Sequence, residues 1–191
     1  YRERIQEIAA IVDGPISAEC VTRTADELVD EARELASWHP NVVVKIPIDE
    51  AGLEAISRVS AEGIRVNTTL IFSVHQALLA SNAGAAFVSP FIGRLDDIGQ
   101  DGIQLVRDTV NLFDRYHLTT QVIAASVRHV GHVQACAAAG SHIATLPHKV
   151  LQQMVKHPLT DEGIDAFLAD WDKANEAASE VPASLRADTT S

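Results

Sequence analysis

The sequence predicts an α/β protein in which helices cover a parallel sheet, built either as a doubly wound sheet or as a (β/α)8 barrel. Three observations support this prediction. Apolar runs of strand length alternate with helical stripes along the chain, a pattern typical of repeated βα units. The runs are apolar almost throughout, as is usual for strands buried on both faces. Gly63, Gly84 and Gly140 each stand between a helical stripe and the next strand, in the left-handed position that ends a helix.

The individual elements follow from local patterns. Six runs are predicted to be strands, at 16–20, 42–46, 64–71, 86–91, 121–126 and 142–146. Four apolar stripes of helical period lie between them and begin at Leu28, Leu53, Val74 and Ile103. Thr24 with Glu27, and Ser73 with Gln76, match the capping-box pattern where two of these helices begin.

The strand count favours an incomplete barrel. No glycine pattern of a nucleotide-binding loop follows any strand. The doubly wound alternative therefore lacks the phosphate-binding motif that is typical of its nucleotide-binding members. A barrel has eight strands and usually about 250 residues. The opening segment YRERIQEIAAIVDG has helical periodicity at Ile5, Ile8 and Val12, without an initiating Met or an N-cap. We therefore expect a (β/α)8 barrel of which six βα units are present, with the first two strands missing from the sequence.

We expect one barrel domain over residues 1–191, because no linker interrupts the pattern. Ile164, Phe167 and Trp171 predict a C-terminal helix at about 158–178 that docks on the body or on a neighbouring subunit. The closing segment ASLRADTTS, at 183–191, is polar and is expected to be frayed.

Composition excludes several classes of function. The chain has 191 residues, of which 47% are hydrophobic, and a net charge of −11, which argues against a nucleic-acid binder. No apolar run approaches the ~20 residues of a membrane span, and no signal peptide opens the chain. Cys20 and Cys136 stand alone and are expected to be small core residues, which fits a reducing cytoplasm. His129 and His132 lack a third ligand, so no metal site is predicted.

Polar residues gather where the predicted strands end, which is where barrel enzymes carry their chemistry. On three strands the candidates stand two residues apart, so both members of each pair point to the same face. The candidate site residues are Glu19, Lys45, Asn67, Thr69, Ser89, Phe91, Arg94, Ser126 and Arg128.

The residue types predict an aldolase-type reaction on a phosphorylated sugar. Lys45 ends the run VVVK, and a lysine amine in an apolar site can attack a carbonyl to form a Schiff base. Glu19, with Thr69 to fix a water, could move the protons that this reaction needs. Two guanidinium groups, on Arg94 and Arg128, suit a phosphate. The imine serves as the electron sink, so no metal or organic cofactor is expected.

Each candidate also has a purely structural interpretation. Lys45 could be a surface group that extends past its strand. Glu19 could pair with Arg23, and Arg94 with Asp96 or Asp97. Only the coincidence of polar residues on five strands favours a site over these alternatives.

Four segments together resemble the transaldolase family, especially its small single-domain members, a group that includes fructose-6-phosphate aldolase. The segments are VVVKIP, RVNTTLIFSVHQALLASNAGAAFVSPFIGRLDD, VIAASVRH and IATLP…HPLTDEGIDAFLADW, within about residues 14–171. The resemblance implies that Lys45 is the Schiff-base lysine, Glu19 the third-strand glutamate and Thr69 the residue that holds the catalytic water. It also implies that Asn67 lies beside the Schiff base, and that the other substrate contacts come from Ser89, Arg94, Ser126 and Arg128.

Two positions discriminate within this family. The aldolase branch tends to carry glutamine in place of Glu19 and tyrosine in place of Phe91. The resemblance therefore implies a transaldolase, which transfers a dihydroxyacetone unit between sugar phosphates in the non-oxidative pentose phosphate pathway of the cytoplasm. Fructose-6-phosphate aldolase is the first alternative. A non-catalytic sugar-phosphate-binding barrel, or an inactive fragment, is the second.

The resemblance carries two further expectations. One is a homo-oligomer, a pentamer or a decamer. The other is a first strand with an acid/base aspartate and a second strand with a TTNPS-like segment, neither of which occurs in these residues.

Overall fold

A computed structural model describes residues 1–180 of the chain, and the tail predicted to be frayed at 183–191 lies outside them. Contacts divide the chain into two compact units, residues 1–150 and the segment from Leu151 onward. The strands are β1 Ile16–Glu19, β2 Val42–Pro47, β3 Val66–Ile71, β4 Phe87–Pro90, β5 Gln121–Ala124 and β6 Ile143–Ala144. The helices are α1 Arg2–Ala9, α2 Ala25–Ser37, α3 Glu50–Ala61, α4 Val74–Asn82, α5 Ile92–Asp96, α6 Gly102–Arg115, α7 Val130–Ala138, α8 His148–Met154 and α9 Pro158–Glu180.

The order of the strands decides between the two predicted architectures. All six are parallel, and each pairs with its neighbour in sequence, in the order β1-β2-β3-β4-β5-β6. A doubly wound sheet reverses its order at a switch point, whereas a (β/α)8 barrel does not. The sheet is a curled half-barrel with alternating helices, a partial (β/α)8 fold as predicted. No pairing joins β6 to β1 among residues 1–180.

Local signals fix most element boundaries. Thr24 forms the predicted capping box. Its hydroxyl accepts a hydrogen bond from the Glu27 amide, and the Glu27 carboxylate accepts one from the Thr24 amide. Ser73 caps α4 by accepting from the Gln76 amide. The Gln76 side chain, however, accepts from Phe72 N at 2.8 Å and from Ser73 Oγ at 3.3 Å, and not from the Ser73 amide. The second hydrogen bond of the predicted capping box therefore comes from the amide of Phe72, one residue before the N-cap.

The three junction glycines have the predicted left-handed backbone, with φ of 83° at Gly63, 101° at Gly84 and 84° at Gly140. At Gly84 a side chain would also be obstructed, because a Cβ there would lie 2.8 Å from Ser60 Cβ. Each glycine therefore lets its helix stop and the next strand begin within a few residues.

Alternation along the strands separates the core from the concave face. The even-numbered strand residues Ala18, Val44, Val66, Val88 and Val122 are fully buried. They join one core with apolar side chains of α2, α3, α4 and α6, where burial of each Val, Leu or Ile contributes about 1.5–3 kcal/mol. The inside of the half-barrel is consequently lined by the odd-numbered residues Val43, Lys45, Asn67, Ser89 and Ile123. Ile71, after the irregularity in β3, is instead part of the core.

Among the helices of residues 1–180, none combines the length and the apolar composition that a membrane span requires.

Candidate active site

A pocket of about 630 Å³ opens on the concave side of the sheet. Its wall includes side chains from all six strands or from the residues that directly follow them. The predicted site residues that line it are Glu19, Lys45, Asn67, Ser89, Phe91 and Ser126.

The register of the parallel strands brings the polar side chains together. Glu19 is paired with Lys45, and Lys45 in turn with Asn67. Because parallel neighbours at one level point to the same face, these three side chains form a row across β1, β2 and β3. Lys45 therefore has an acidic group on one side and an amide on the other.

The Lys45 amine turns into the pocket. Its Nζ donates to Glu19 Oε2 at 2.9 Å, and the Lys45 side chain is 21% exposed. The same Nζ lies 5.8 Å from the centroid of the Phe91 ring. The structural alternatives are wrong for both residues, since the lysine does not extend past its strand and Glu19 pairs with Lys45 and not with Arg23. An amine and a carboxylate, groups that can act as nucleophile and proton acceptor, are thus in direct contact.

A chain of side-chain hydrogen bonds holds the amide beside Lys45. Ser89 Oγ donates to Asn67 Oδ1 at 2.7 Å, and Asn67 Nδ2 donates to Ser17 Oγ at 3.2 Å. Asn67 and Ser89 are 3% and 2% exposed. The network fixes the Asn67 amide and spans β1, β3 and β4. Ser17 is not among the predicted site residues, although its position two residues before Glu19 places it on the same face.

Thr69 is fully buried but does not line the pocket. Its hydroxyl has no protein partner among residues 1–180. The regular pairing of β3 with β4 breaks between Thr68 and Ile71, and Leu70 has a φ of 58°. A buried hydroxyl is normally hydrogen-bonded, so this group can bond a small polar molecule such as water.

The two predicted arginines, Arg94 and Arg128, do not line the pocket. The guanidinium carbon of Arg94, on α5, lies 5.0 Å from the centroid of the Phe91 ring. Arg128 Nη2 donates to Asp97 Oδ2 at 2.7 Å. Within residues 1–180 Arg94 has no carboxylate partner, so the alternative that it pairs with Asp96 or Asp97 is wrong. Ser126 lines the pocket and has a φ of 59°, a strained conformation of the kind found at functional sites.

The two cysteines are buried, as predicted. Burial, with Glu31 and Glu19 adding to it, raises the pKa of the Cys20 thiol to about 12. Burial and Asp96 raise the pKa of the Cys136 thiol to about 11. Neither thiol is a nucleophile near neutral pH. Among the described residues no three His, Cys, Asp or Glu side chains are placed to hold a metal ion.

Comparison with known proteins assigns the family. The family model described as "Transaldolase/Fructose-6-phosphate aldolase" matches residues 2–181. The chain belongs to this family. A "Probable transaldolase" of Heliobacterium modesticaldum is 59% identical over 176 residues, which are 92% of this chain and 82% of the relative. A "Probable transaldolase" of Desulforamulus reducens is 60% identical over 173 residues, or 91% and 80% of the two chains. "Probable transaldolase 1" of Listeria monocytogenes serotype 4b is 58% identical over 174 residues, or 91% and 81%.

The resemblance to the transaldolase family is therefore confirmed, and the half-barrel agrees with it. In this family member the row formed by Glu19, Lys45 and Asn67 lines the pocket on the concave side of the sheet, where the sequence predicts a Schiff-base site.

One histidine of this transaldolase-family protein gives a prediction for stability. Partial burial, with His129 and Arg128 beside it, lowers the pKa of His132 from 6.5, although Asp96 opposes the shift. As pH falls, the unfolded state therefore binds a proton at His132 before the folded state does. The contribution of neutral His132 to the free energy of unfolding is complete above about pH 6.5 and is lost below it. We expect the excess of the wild-type Tm over that of His132→Asn to shrink between about pH 7 and about pH 5. A difference that stays constant or grows would contradict this.

Proposed function

We propose that the protein is a transaldolase, which transfers a dihydroxyacetone unit between sugar phosphates through a Schiff base on Lys45. The observation that carries the proposal is the contact of Lys45 Nζ with Glu19 Oε2, 2.9 Å apart within the pocket. An amine needs to lose a proton before it attacks a carbonyl. Glu19 is in hydrogen-bond contact with that amine and is the group proposed to accept the proton.

The proposed reaction passes through an iminium and an enamine on Lys45. The Lys45 amine adds to C2 of the ketose donor, and loss of water gives an iminium. A base removes the proton of the C4 hydroxyl, the C3–C4 bond breaks, and its electron pair moves into the C2–C3 bond to form an enamine. The aldose phosphate leaves. C3 of the enamine then attacks the aldehyde carbon of an acceptor aldose phosphate, and the alkoxide that forms takes up a proton. Water hydrolyses the regenerated iminium, which releases the new ketose phosphate and the Lys45 amine.

Protons in these steps are proposed to move through a water held by Glu19 and Thr69. The buried Thr69 hydroxyl without a protein partner supports this assignment. Asn67, fixed by Ser89, is proposed to bond the substrate beside the imine. General acid–base groups placed in this way typically contribute about 10²–10⁴-fold to a rate.

Arg94, Ser126 and Arg128 are proposed to bind the phosphate of the sugar. Ser126 lines the pocket and Arg94 packs on Phe91, which also lines it. Arginine presents a planar fork that matches phosphate oxygens. We also propose that the enzyme works in the pentose phosphate pathway of the cytoplasm. It is further proposed to be a homo-oligomer in which α9 contacts a neighbouring copy.

An assay of product formation tests the proposal. Fructose 6-phosphate is supplied with erythrose 4-phosphate, a four-carbon aldose phosphate, as acceptor. Formation of a seven-carbon ketose phosphate that depends on this acceptor is expected. Free dihydroxyacetone without an acceptor would indicate the aldolase activity instead. No product under either condition would support a barrel that binds sugar phosphates without catalysis.

Replacing Phe91 with tyrosine is expected to shift activity toward aldol cleavage. Phe91 lies 5.8 Å from Lys45 Nζ and has no hydroxyl, so a tyrosine there adds a proton donor and acceptor beside the reacting carbons. We expect the ratio of dihydroxyacetone release to transfer to rise at least about tenfold. Release without an acceptor and transfer with erythrose 4-phosphate are measured on the same preparation.

Phe72→Tyr is the matched control for this prediction. Phe72 packs edge-on against Phe91, with ring centroids 5.9 Å apart, and does not line the pocket. The same chemical change at this ring is expected to leave the ratio unaltered. An equal ratio in Phe91→Tyr and the wild type would overturn the role assigned to Phe91.

A further inference from the structure

Two chain segments carry the side chains proposed to bind phosphate, and they are in close backbone contact. Arg94 lies on α5, whereas Ser126 and Arg128 lie in the loop that follows β5. Gly93 N donates to Ser126 O at 3.2 Å. A Cβ at Gly93 would lie 2.3 Å from Ser126 O and 2.5 Å from Arg128 Nε. Only glycine allows the two segments to approach this closely.

A histidine side chain forms a second connection between these segments. His132 lies in the first turn of α7, and its side chain is 12% exposed. Its Nε2 lies 3.0 Å from Asp96 Oδ2, and its Nδ1 accepts from Arg128 N at 3.3 Å. An acceptor at Nδ1 and a donor at Nε2 define the neutral imidazole with its proton on Nε2. One ring therefore connects α5 with the backbone of Arg128.

The neighbours of this ring hold it in place. Asp96 also accepts from Gly102 N, at 3.1 Å, so its carboxylate is fixed at the start of α6. His129 caps α7 by accepting from His132 N, and the two imidazole centroids are 3.8 Å apart. Both ring nitrogens of His132 are thus bonded to groups whose own positions are fixed. A residue that only capped a helix would not need the bond to Asp96.

We propose that His132 is a positioning residue that orients Arg128 and couples its loop to α5, so that the two arginines meet one phosphate. This inference rests on the proposed phosphate site. His132 does not line the pocket, so it acts through Arg128 and touches no substrate. Removal of its side chain is expected to weaken anion binding and to leave the amine chemistry of Lys45 intact.

The test separates anion binding from Schiff-base formation. Titration calorimetry gives the Kd for inorganic phosphate, and borohydride trapping with dihydroxyacetone, which has no phosphate, reports on Lys45. For His132→Ala we expect a Kd raised roughly tenfold, the lower end of the loss seen when a side chain that orients a metal ligand is removed. The extent of dihydroxyacetone trapping is expected to equal that of the wild type.

Two conservative variants show which of the two His132 bonds, to Arg128 N or to Asp96, supports phosphate binding. They also keep the test decisive if the alanine variant fails to fold. His132→Asn retains an acceptor at the position of Nδ1, and His132→Gln retains a donor at the position of Nε2. Recovery of phosphate affinity in either one supports the inference and identifies the bond responsible. His117→Asn is the matched control, since His117 is exposed and has a φ of 53°, which asparagine tolerates.

The outcomes distinguish this inference from the proposed function. A wild-type protein that does not bind phosphate, or an Arg128→Ala variant that binds it normally, would overturn the phosphate site and this inference together. If Arg128→Ala loses affinity but His132→Ala does not, the inference alone is overturned. Equal losses of phosphate binding and of dihydroxyacetone trapping in all three His132 variants would also overturn it, because they would indicate a general structural role.

Discussion

Replacing Lys45 with alanine is expected to abolish turnover while the fold is retained. The amine is the only proposed covalent nucleophile, and removal of such a group typically costs several orders of magnitude in kcat, on the order of 10⁴-fold or more. Its neighbours in β2, Val43, Val44 and Ile46, are buried and remain in place. The lost pair with Glu19, whose side chain is 45% exposed, contributes about 1 kcal/mol or less.

The measurement is the rate of the transfer assay together with a thermal unfolding curve. Lys149→Ala is the matched control, because Lys149 is exposed on α8 and the substitution removes the same charge away from the pocket. Its rate is expected to equal that of the wild type. Turnover in Lys45→Ala within tenfold of the wild-type rate would contradict the Schiff-base assignment.

Replacing Glu19 with alanine is expected to lower kcat by about 10²–10³-fold and to change the KM for fructose 6-phosphate little. The carboxylate contacts Lys45 Nζ at 2.9 Å and is proposed to move protons. The phosphate is assigned to Arg94, Ser126 and Arg128, so ground-state binding should persist. Steady-state kinetics give both constants, and borohydride trapping is expected to remain possible but slower.

Glu34→Ala serves as the control for this prediction. Glu34 is exposed on α2, and the substitution makes the same change in size and charge. If Glu19→Ala raised KM as strongly as it lowered kcat, Glu19 would be a binding residue and not a proton carrier. Unchanged kinetics would remove it from the site altogether.

The half-barrel and much of the pocket wall could be predicted from sequence because they depend on local periodicity. In β2 the alternation of Val43 and Lys45 with Val44 and Ile46 already separates the pocket side from the core side. Parallel pairing then brings equivalent positions of neighbouring strands together. The prediction that Glu19 and Lys45 belong to one site required only this regularity.

The arrangement around the arginines could not be predicted in the same way. The sequence offers Arg94 two acidic neighbours, Asp96 and Asp97, but in the fold these bond His132 and Arg128. These pairs join residues more than 30 positions apart in sequence, and they form because α5 contacts the loop after β5. No local sequence pattern encodes that contact.

The irregularity in β3 could not be predicted from the sequence either, for a different reason. VNTTLI has the composition of a continuous strand, yet Leu70 adopts a φ of 58° and the pairing with β4 breaks beside it. Leucine has no intrinsic preference for this conformation, so the surrounding structure imposes it. Thr69 stands next to this break, which explains why its place relative to the pocket differs from that of Asn67.

The most direct measurement is intact-mass and peptide mapping of the protein after borohydride reduction with and without fructose 6-phosphate. The proposed mechanism predicts a mass increase equal to one reduced dihydroxyacetone adduct, located on Lys45. The Lys45→Ala variant should acquire none. An adduct on another lysine of a folded, active protein, or turnover without any adduct, would contradict the mechanism.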